Sequence, residues 1–134
     1  MKIGIIGRGR VSSALSGTFA HQHEVRLGVR TASAPSEGPI GEVAVWSDAI
    51  VLATPCGAEN EVCRAIVDHV TGKPVIDATN PVGMRNGKLD LVLDGPGSAA
   101  EVLQARLPDA MSSSASTRSG LSSWTMLASC PARP

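Results

Sequence analysis

The chain has 134 residues, no formal net charge, 43% apolar side chains and 18% charged ones. That length holds one domain with a hydrophobic core, and is too short for two full ones. A neutral chain has no global field to gather nucleic acid or anionic lipid, so neither is expected as a partner and any anion site must be local.

Cys56, Cys63 and Cys130 form no C-x-x-C pair and no cluster at metal-ligand spacing. Neither a metal site nor a disulfide framework is expected. No apolar stretch has the length of a signal peptide or a membrane span, and reduced thiols suit a cytoplasmic protein.

Lys2–Ile6 is an apolar run ended by glycine, the pattern of a strand buried on both faces. Val11, Ala14, Leu15 and Phe19 then recur at helical spacing, which predicts a helix over about Val11–His21. Glu24–Val29 reads as a second strand, Val43–Trp46 as a weak third and Ala49–Thr54 as a strong fourth. Ala58–Val70 is predicted helical, ended by Gly72. Pro74–Asp77 reads as a fifth strand and Ser98–Leu107 as a further helix, with Ser98 as its N-cap. Strands alternating with helices imply right-handed crossovers and an α/β, doubly wound, mainly parallel sheet, the Rossmann arrangement.

From residue 111 the character changes. Residues 111–134 hold eight serines and no acidic residue. The segment is expected to be an irregular tail to a domain spanning residues 1–110.

The turn Gly7-Arg8-Gly9-Arg10-Val11-Ser12 follows a buried strand and opens an amphipathic helix, the order that dinucleotide binding requires. Gly7 permits the tight turn and Gly9 lets the pyrophosphate approach the backbone. The helix N-terminus supplies free amides and the positive end of its dipole. Ser12 stands where the third glycine of the pattern would pack helix on strand. An NAD site places an acid at the end of the second strand, about 20 residues past the glycines, to bind the ribose hydroxyls. Here that place reads Val29-Arg30-Thr31-Ala32-Ser33, with no carboxylate. Arg30 can pair with a 2′-phosphate as a planar fork, Thr31 and Ser33 can donate hydroxyls, and Arg8 adds charge. NADP is therefore favoured over NAD.

Asp77, at the end of a strand, is read as holding a neighbouring loop rather than as an acid or base. Cys56 and Cys63 are read as packing residues, and His21 and His23 as solvated.

Taken together, Met1-Lys2-Ile3-Gly4-Ile5-Ile6-Gly7-Arg8-Gly9-Arg10-Val11, His23-Glu24-Val25, Leu52-Ala53-Thr54-Pro55 and Gly72-Lys73-Pro74-Val75-Ile76-Asp77-Ala78-Thr79-Asn80-Pro81 resemble the NADP-binding domain of the NADPH-dependent coenzyme F420 reductases. The resemblance covers about residues 1–110. It implies hydride transfer between NADPH and a small-molecule acceptor, coenzyme F420 in the best-known members. It also implies that Thr54-Pro55 and Thr79-Asn80-Pro81 sit at strand ends near the nicotinamide. The oligomeric state stays open, a homo-oligomer included.

Two departures stand out. Val29 replaces the serine usual before the arginine. Met111-Ser112-Ser113-Ser114-Ala115-Ser116-Thr117 replaces an expected strand of Val-Val-Lys-Ala-Phe-Asn-Thr type and the acceptor-site segment after it. Such an onset is what a reading-frame shift near Asp109–Met111 in a GC-rich gene produces. A non-catalytic NADP-binding remnant is the alternative reading. Pyrroline-5-carboxylate reductase-like and ketopantoate reductase-like enzymes share the domain, but they need a helical C-terminal domain for which the remaining residues leave no room.

Overall fold

In a computed structural model of the protein, the structure describes residues 1–55, 58–79, 82–91, 99–115 and 126–128. Strand β1 (Lys2–Ile6) leads into helix α1 (Arg10–Phe19), β2 (Glu24–Val29), the short β3 (Glu37–Pro39) and α2 (Ile40–Trp46). There follow β4 (Ala49–Leu52), α3 (Glu59–Ile66) with a 3-10 turn at Val67–His69, and β5 (Pro74–Asp77). A hairpin of β6 (Val82–Arg85) and β7 (Lys88–Leu91) precedes α4 (Ala99–Arg106), β8 (Met111–Ala115) and β9 (Met126–Ala128).

The main sheet has the order β3-β2-β1-β4-β5-β8-β9, parallel throughout except for β9. From β1 the chain first winds outward through β2 and β3. It then returns to the other side of β1 with β4 and continues to β5 and β8. The order therefore reverses between β1 and β4, the switch point at which open α/β sheets bind ligands. This is the doubly wound α/β sheet expected from the alternation of elements.

The central strands are apolar because both faces are covered. Ile5, Ile6, Ile50 and Leu52 are almost wholly buried, each such side chain contributing about 1.5–3 kcal/mol of hydrophobic stabilisation. One core cluster joins Ile6, Ile50 and Leu52 to Val43, Val62, Ile66, Leu103 and Leu107 on the helical side. The other joins Ile3, Ile5 and Val51 to Leu15 and Phe19 of α1. The Lys73 ammonium donates to the carbonyls of Ala44 at 2.8 Å and Val45 at 3.3 Å, satisfying the C-terminal end of α2.

Three sequence expectations change. Val43–Trp46 is the last part of helix α2, and the third strand is Glu37–Pro39. Val43 and Ala44 are both buried while Val45 is exposed, a helical pattern. A short apolar run alone does not distinguish a buried helix from a strand. Helix α2 sits tightly on β1, because a Cβ at Gly4 would lie 2.9 Å from Val43 Cγ1.

Second, residues 111–115, assigned to the irregular tail, form β8 and pair in parallel with β5 from Pro74↔Met111 to Asp77↔Ser114. The buried Leu103, Leu107 and Ala110 deliver the chain to that edge. The pairing itself is made by backbone groups, which serine offers as well as valine does, so no apolar signature marks it. Third, His23 is half-buried, its ring edge-on to Phe19 at 6.5 Å between centroids.

Other elements shift only at their ends, and the β6–β7 hairpin had no sequence signal that was read. The proposed cap Ser98, and Cys56, lie outside the described residues.

Candidate functional site

A cleft of about 630 Å³ opens at the carboxyl edge of the sheet. Its walls come from the ends of β1 (Ile6, Gly7, Arg8), of β2 (Gly28, Val29, Arg30, Thr31) and of β4 (Thr54, Pro55). Ile40, Ala58, Glu61 and Val62 from the bordering helices complete it. The strand ends converge because the sheet is held in register there. Gly7 N–H donates to Gly28 O at 3.0 Å, and Ala53 N–H donates to Ile6 O at 2.9 Å.

Gly7 and Gly9 differ in what they require. Gly7 has φ of +129°, and a Cβ there would lie 2.3 Å from the Ala53 carbonyl oxygen. Only glycine fits without displacing backbone. Gly9, the N-cap of α1, has φ −93° and ψ −169°, with no atom within 4 Å of where a Cβ would stand. The fold does not need glycine there, and the open space above the backbone is room for a ligand. At the start of α1, Ser13 N–H donates to Gly9 O at 3.0 Å. The amides of Arg10, Val11 and Ser12 precede it and have no intrahelical acceptor. Ser12 is fully buried, its hydroxyl 3.4 Å from the Ala53 carbonyl. It thus fills the helix-packing position of the missing third glycine.

The loop after β2 is organised by a carboxylate. Glu37 Oε2 accepts from Ser33 N at 2.7 Å, Ser33 Oγ at 3.1 Å, Ala34 N at 3.2 Å and Arg8 Nη2 at 2.7 Å. These donors, the Ser33 amide foremost and against some desolvation, hold its carboxyl below the ordinary carboxylate range. Arg8 Nη2 also donates to the Thr31 carbonyl at 2.8 Å. Across the cleft mouth Arg30 Nη2 meets Glu61 Oε2 at 2.8 Å, with both side chains mostly exposed. The Thr54 hydroxyl is buried against the cleft and has no hydrogen-bond partner.

At the end of β5, Asp77 is buried and accepts from Thr79 N at 2.8 Å and from the Thr79 hydroxyl at 2.5 Å. Burial pushes its carboxyl upward, the Thr79 hydrogen bonds oppose that, and Glu59 adds to it. The group closes a local turn, as read from the sequence. Cys63 is a core residue whose thiol is pushed up mainly by burial.

Of the residues singled out by sequence, the cleft brings together Gly7, Arg8, Arg30, Thr31, Thr54 and Pro55. Gly9, Arg10, Val11 and Ser12 follow directly in the turn and first helical turn but do not line it. Ser33 is turned toward Glu37. Asn80 and Pro81 lie outside the described residues. Glu37 and Glu61 were missed. Glu61 falls inside the helix predicted over Ala58–Val70, and nothing local ties it to Arg30 or Glu37 to Arg8.

No protein-family model matches the chain, and no curated protein matches it. Solved structures do. One, from Arthrobacter sp. FB24 and provisionally designated an F420-dependent NADP reductase, is 25% identical with a TM-score of 0.76 over 85% of this chain. Plasmodium falciparum pyrroline carboxylate reductase with NADP bound is similar over 85% of the chain at 15% identity and TM-score 0.63. A hypothetical protein from Sinorhizobium meliloti is similar over the same share at 21% identity and TM-score 0.61. The fold is that of NADP-dependent reductases. The resemblance seen in the residues is thus matched in three dimensions. The chain spans 61%, 41% and 60% of the lengths of these three proteins.

Among the described residues no helix is long and apolar enough to cross a membrane, and no group of His, Cys, Asp and Glu is placed to hold a metal ion.

Proposed function

We propose that the chain is the cofactor-binding part of an NADP(H)-dependent oxidoreductase that exchanges hydride between NADPH and a small-molecule acceptor such as coenzyme F420. The observation that carries this reading is the composition of the cleft and of the turn that borders it. At the sheet's switch point, a glycine turn and a helix N-terminus stand beside Arg30 and Thr31, where an NAD site would end its second strand in an acid.

The residues fit a dinucleotide. The space above Gly9 and the unpaired amides of Arg10, Val11 and Ser12 suit a pyrophosphate. Arg30 and Thr31 suit a 2′-phosphate, and Arg8, ion-paired to Glu37, lines the cleft beside them. The unpartnered Thr54 hydroxyl and Pro55 line the same cleft, and with Asn80 and Pro81 they are expected to frame the nicotinamide. The nicotinamide would supply the hydride chemistry. The chain's own contribution is to hold two reactants in position and keep water away, so no dedicated protein acid is required.

Titration of the chain with NADPH and NADH tests the binding half, with a clear preference for NADPH expected. A turnover assay with a deazaflavin tests the chemistry. Tight NADPH binding without hydride transfer to any deazaflavin, flavin or ferric acceptor favours the non-catalytic remnant.

A further inference from the structure

Within the proposed NADP cleft, we propose that Glu61 sets selectivity for the 2′-phosphate by competing with it for Arg30. The charged residues lining the cleft are Arg8, Arg30 and Glu61. Arg8 is tied down on one side, its Nη2 donating to Glu37 and to the Thr31 carbonyl. Arg30 is the more exposed guanidinium, 71% against 50% for Arg8, and its contact is Glu61, 2.8 Å away on the first turn of α3.

The pair is built for exchange. The Arg30 side chain is 71% exposed and that of Glu61 61% exposed, so water screens the attraction and the pair holds little free energy. A phosphomonoester carries nearly two negative charges and three acceptor oxygens. It can engage the planar guanidinium through two parallel hydrogen bonds, where Glu61 Oε2 accepts from Nη2. Once displaced, the Glu61 carboxylate stays in the cleft wall and repels the phosphate that replaced it. Glu61 thus opposes a phosphorylated ribose twice, by occupying Arg30 before binding and by like-charge repulsion afterwards. An unphosphorylated ribose meets neither effect.

The probes are adenosine 2′,5′-bisphosphate and adenosine 5′-monophosphate, titrated into the full chain at low ionic strength. Glu61→Gln should bind the bisphosphate about threefold to tenfold more tightly and the monophosphate within about twofold. The bisphosphate gain should shrink when Arg30→Ala is added. The substitution lies on an exposed side chain, and an unchanged thermal midpoint separates the effect from altered folding. Weaker bisphosphate binding in Glu61→Gln, no change, or an equal gain for both probes overturns the proposal. If wild type binds NADPH in an Arg30-dependent way while Glu61→Gln changes nothing, only the competition is lost. If wild type binds neither the bisphosphate nor NADPH, the NADP reading of the cleft falls with it.

Discussion

Arg8, in the glycine turn, and Glu37, at the start of β3, meet at 2.7 Å and tie the turn to the loop after β2. The same Glu37 oxygen accepts from Ser33 and Ala34, so one carboxylate shapes the loop that presents Arg30 and Thr31. Its folded-state pKa is lowered from the ordinary 4.5. A lowered carboxyl pKa contributes stability that is full above 4.5 and is lost as pH falls through the folded value. Glu37→Gln should therefore lower the thermal midpoint at neutral pH, with the two proteins converging as pH falls below 4.5. Melting curves from neutral to acid pH check this, and a constant gap across the series would contradict it.

The two glycines of the turn should fail differently. Gly7→Ala forces a Cβ into the Ala53 carbonyl at a positive φ, so it should destabilise the fold by more than about 1 kcal/mol. A Cβ at Gly9 would meet no protein atom within 4 Å, so Gly9→Val should cost the fold less than Gly7→Ala, chiefly through a weaker helix cap, while abolishing binding of NADPH and NADH alike. Denaturation and titration on both variants separate the effects. Unchanged affinity in Gly9→Val refutes the phosphate site.

Arg30→Ala should weaken NADPH about tenfold or more, the scale of lost hydrogen bonds to a charged group, and spare NADH. Equal losses for the two cofactors would remove the case for NADP preference.

Asp77 titrates with the opposite sign to Glu37. Burial raises its folded-state pKa above the ordinary 3.8, so the folded chain holds the proton more firmly and stability declines as pH rises from 3.8 through the folded value. Asp77→Asn should remove that decline while its amide oxygen still accepts from Thr79. Asp77→Ala should cost about 1–3 kcal/mol, because both Thr79 donors lose their acceptor. Chemical denaturation at several pH values checks both. A pH slope retained in Asp77→Asn would assign it to another group.

A reading-frame shift near Asp109–Met111 predicts that a neighbouring frame encodes a β-branched, apolar strand at the position of β8. The DNA sequence across codons 105–134 decides it. Two neighbouring frames without such a strand would dismiss the shift.

What the sequence determined by itself was local and contiguous. Strand β1, the glycine turn and helix α1 follow one another within residues 2–19, so periodicity and two glycines were enough to place the turn between strand and helix. Arg30 was legible because it ends a strand whose apolar pattern is plain. Val43–Trp46 was misread because four apolar-rich residues fit a strand or a buried helix equally well, and packing of α2 on Gly4 makes the choice. Strand β8 was invisible because its pairing with β5 is backbone to backbone. Only the tertiary structure could set Glu37 on Arg8 and Glu61 on Arg30, since ion pairs between residues 29 and 31 positions apart exist only once the sheet brings the strand ends together. Those two carboxylates hold the cleft arginines differently, Arg8 against a well-buried glutamate and Arg30 against an exposed one.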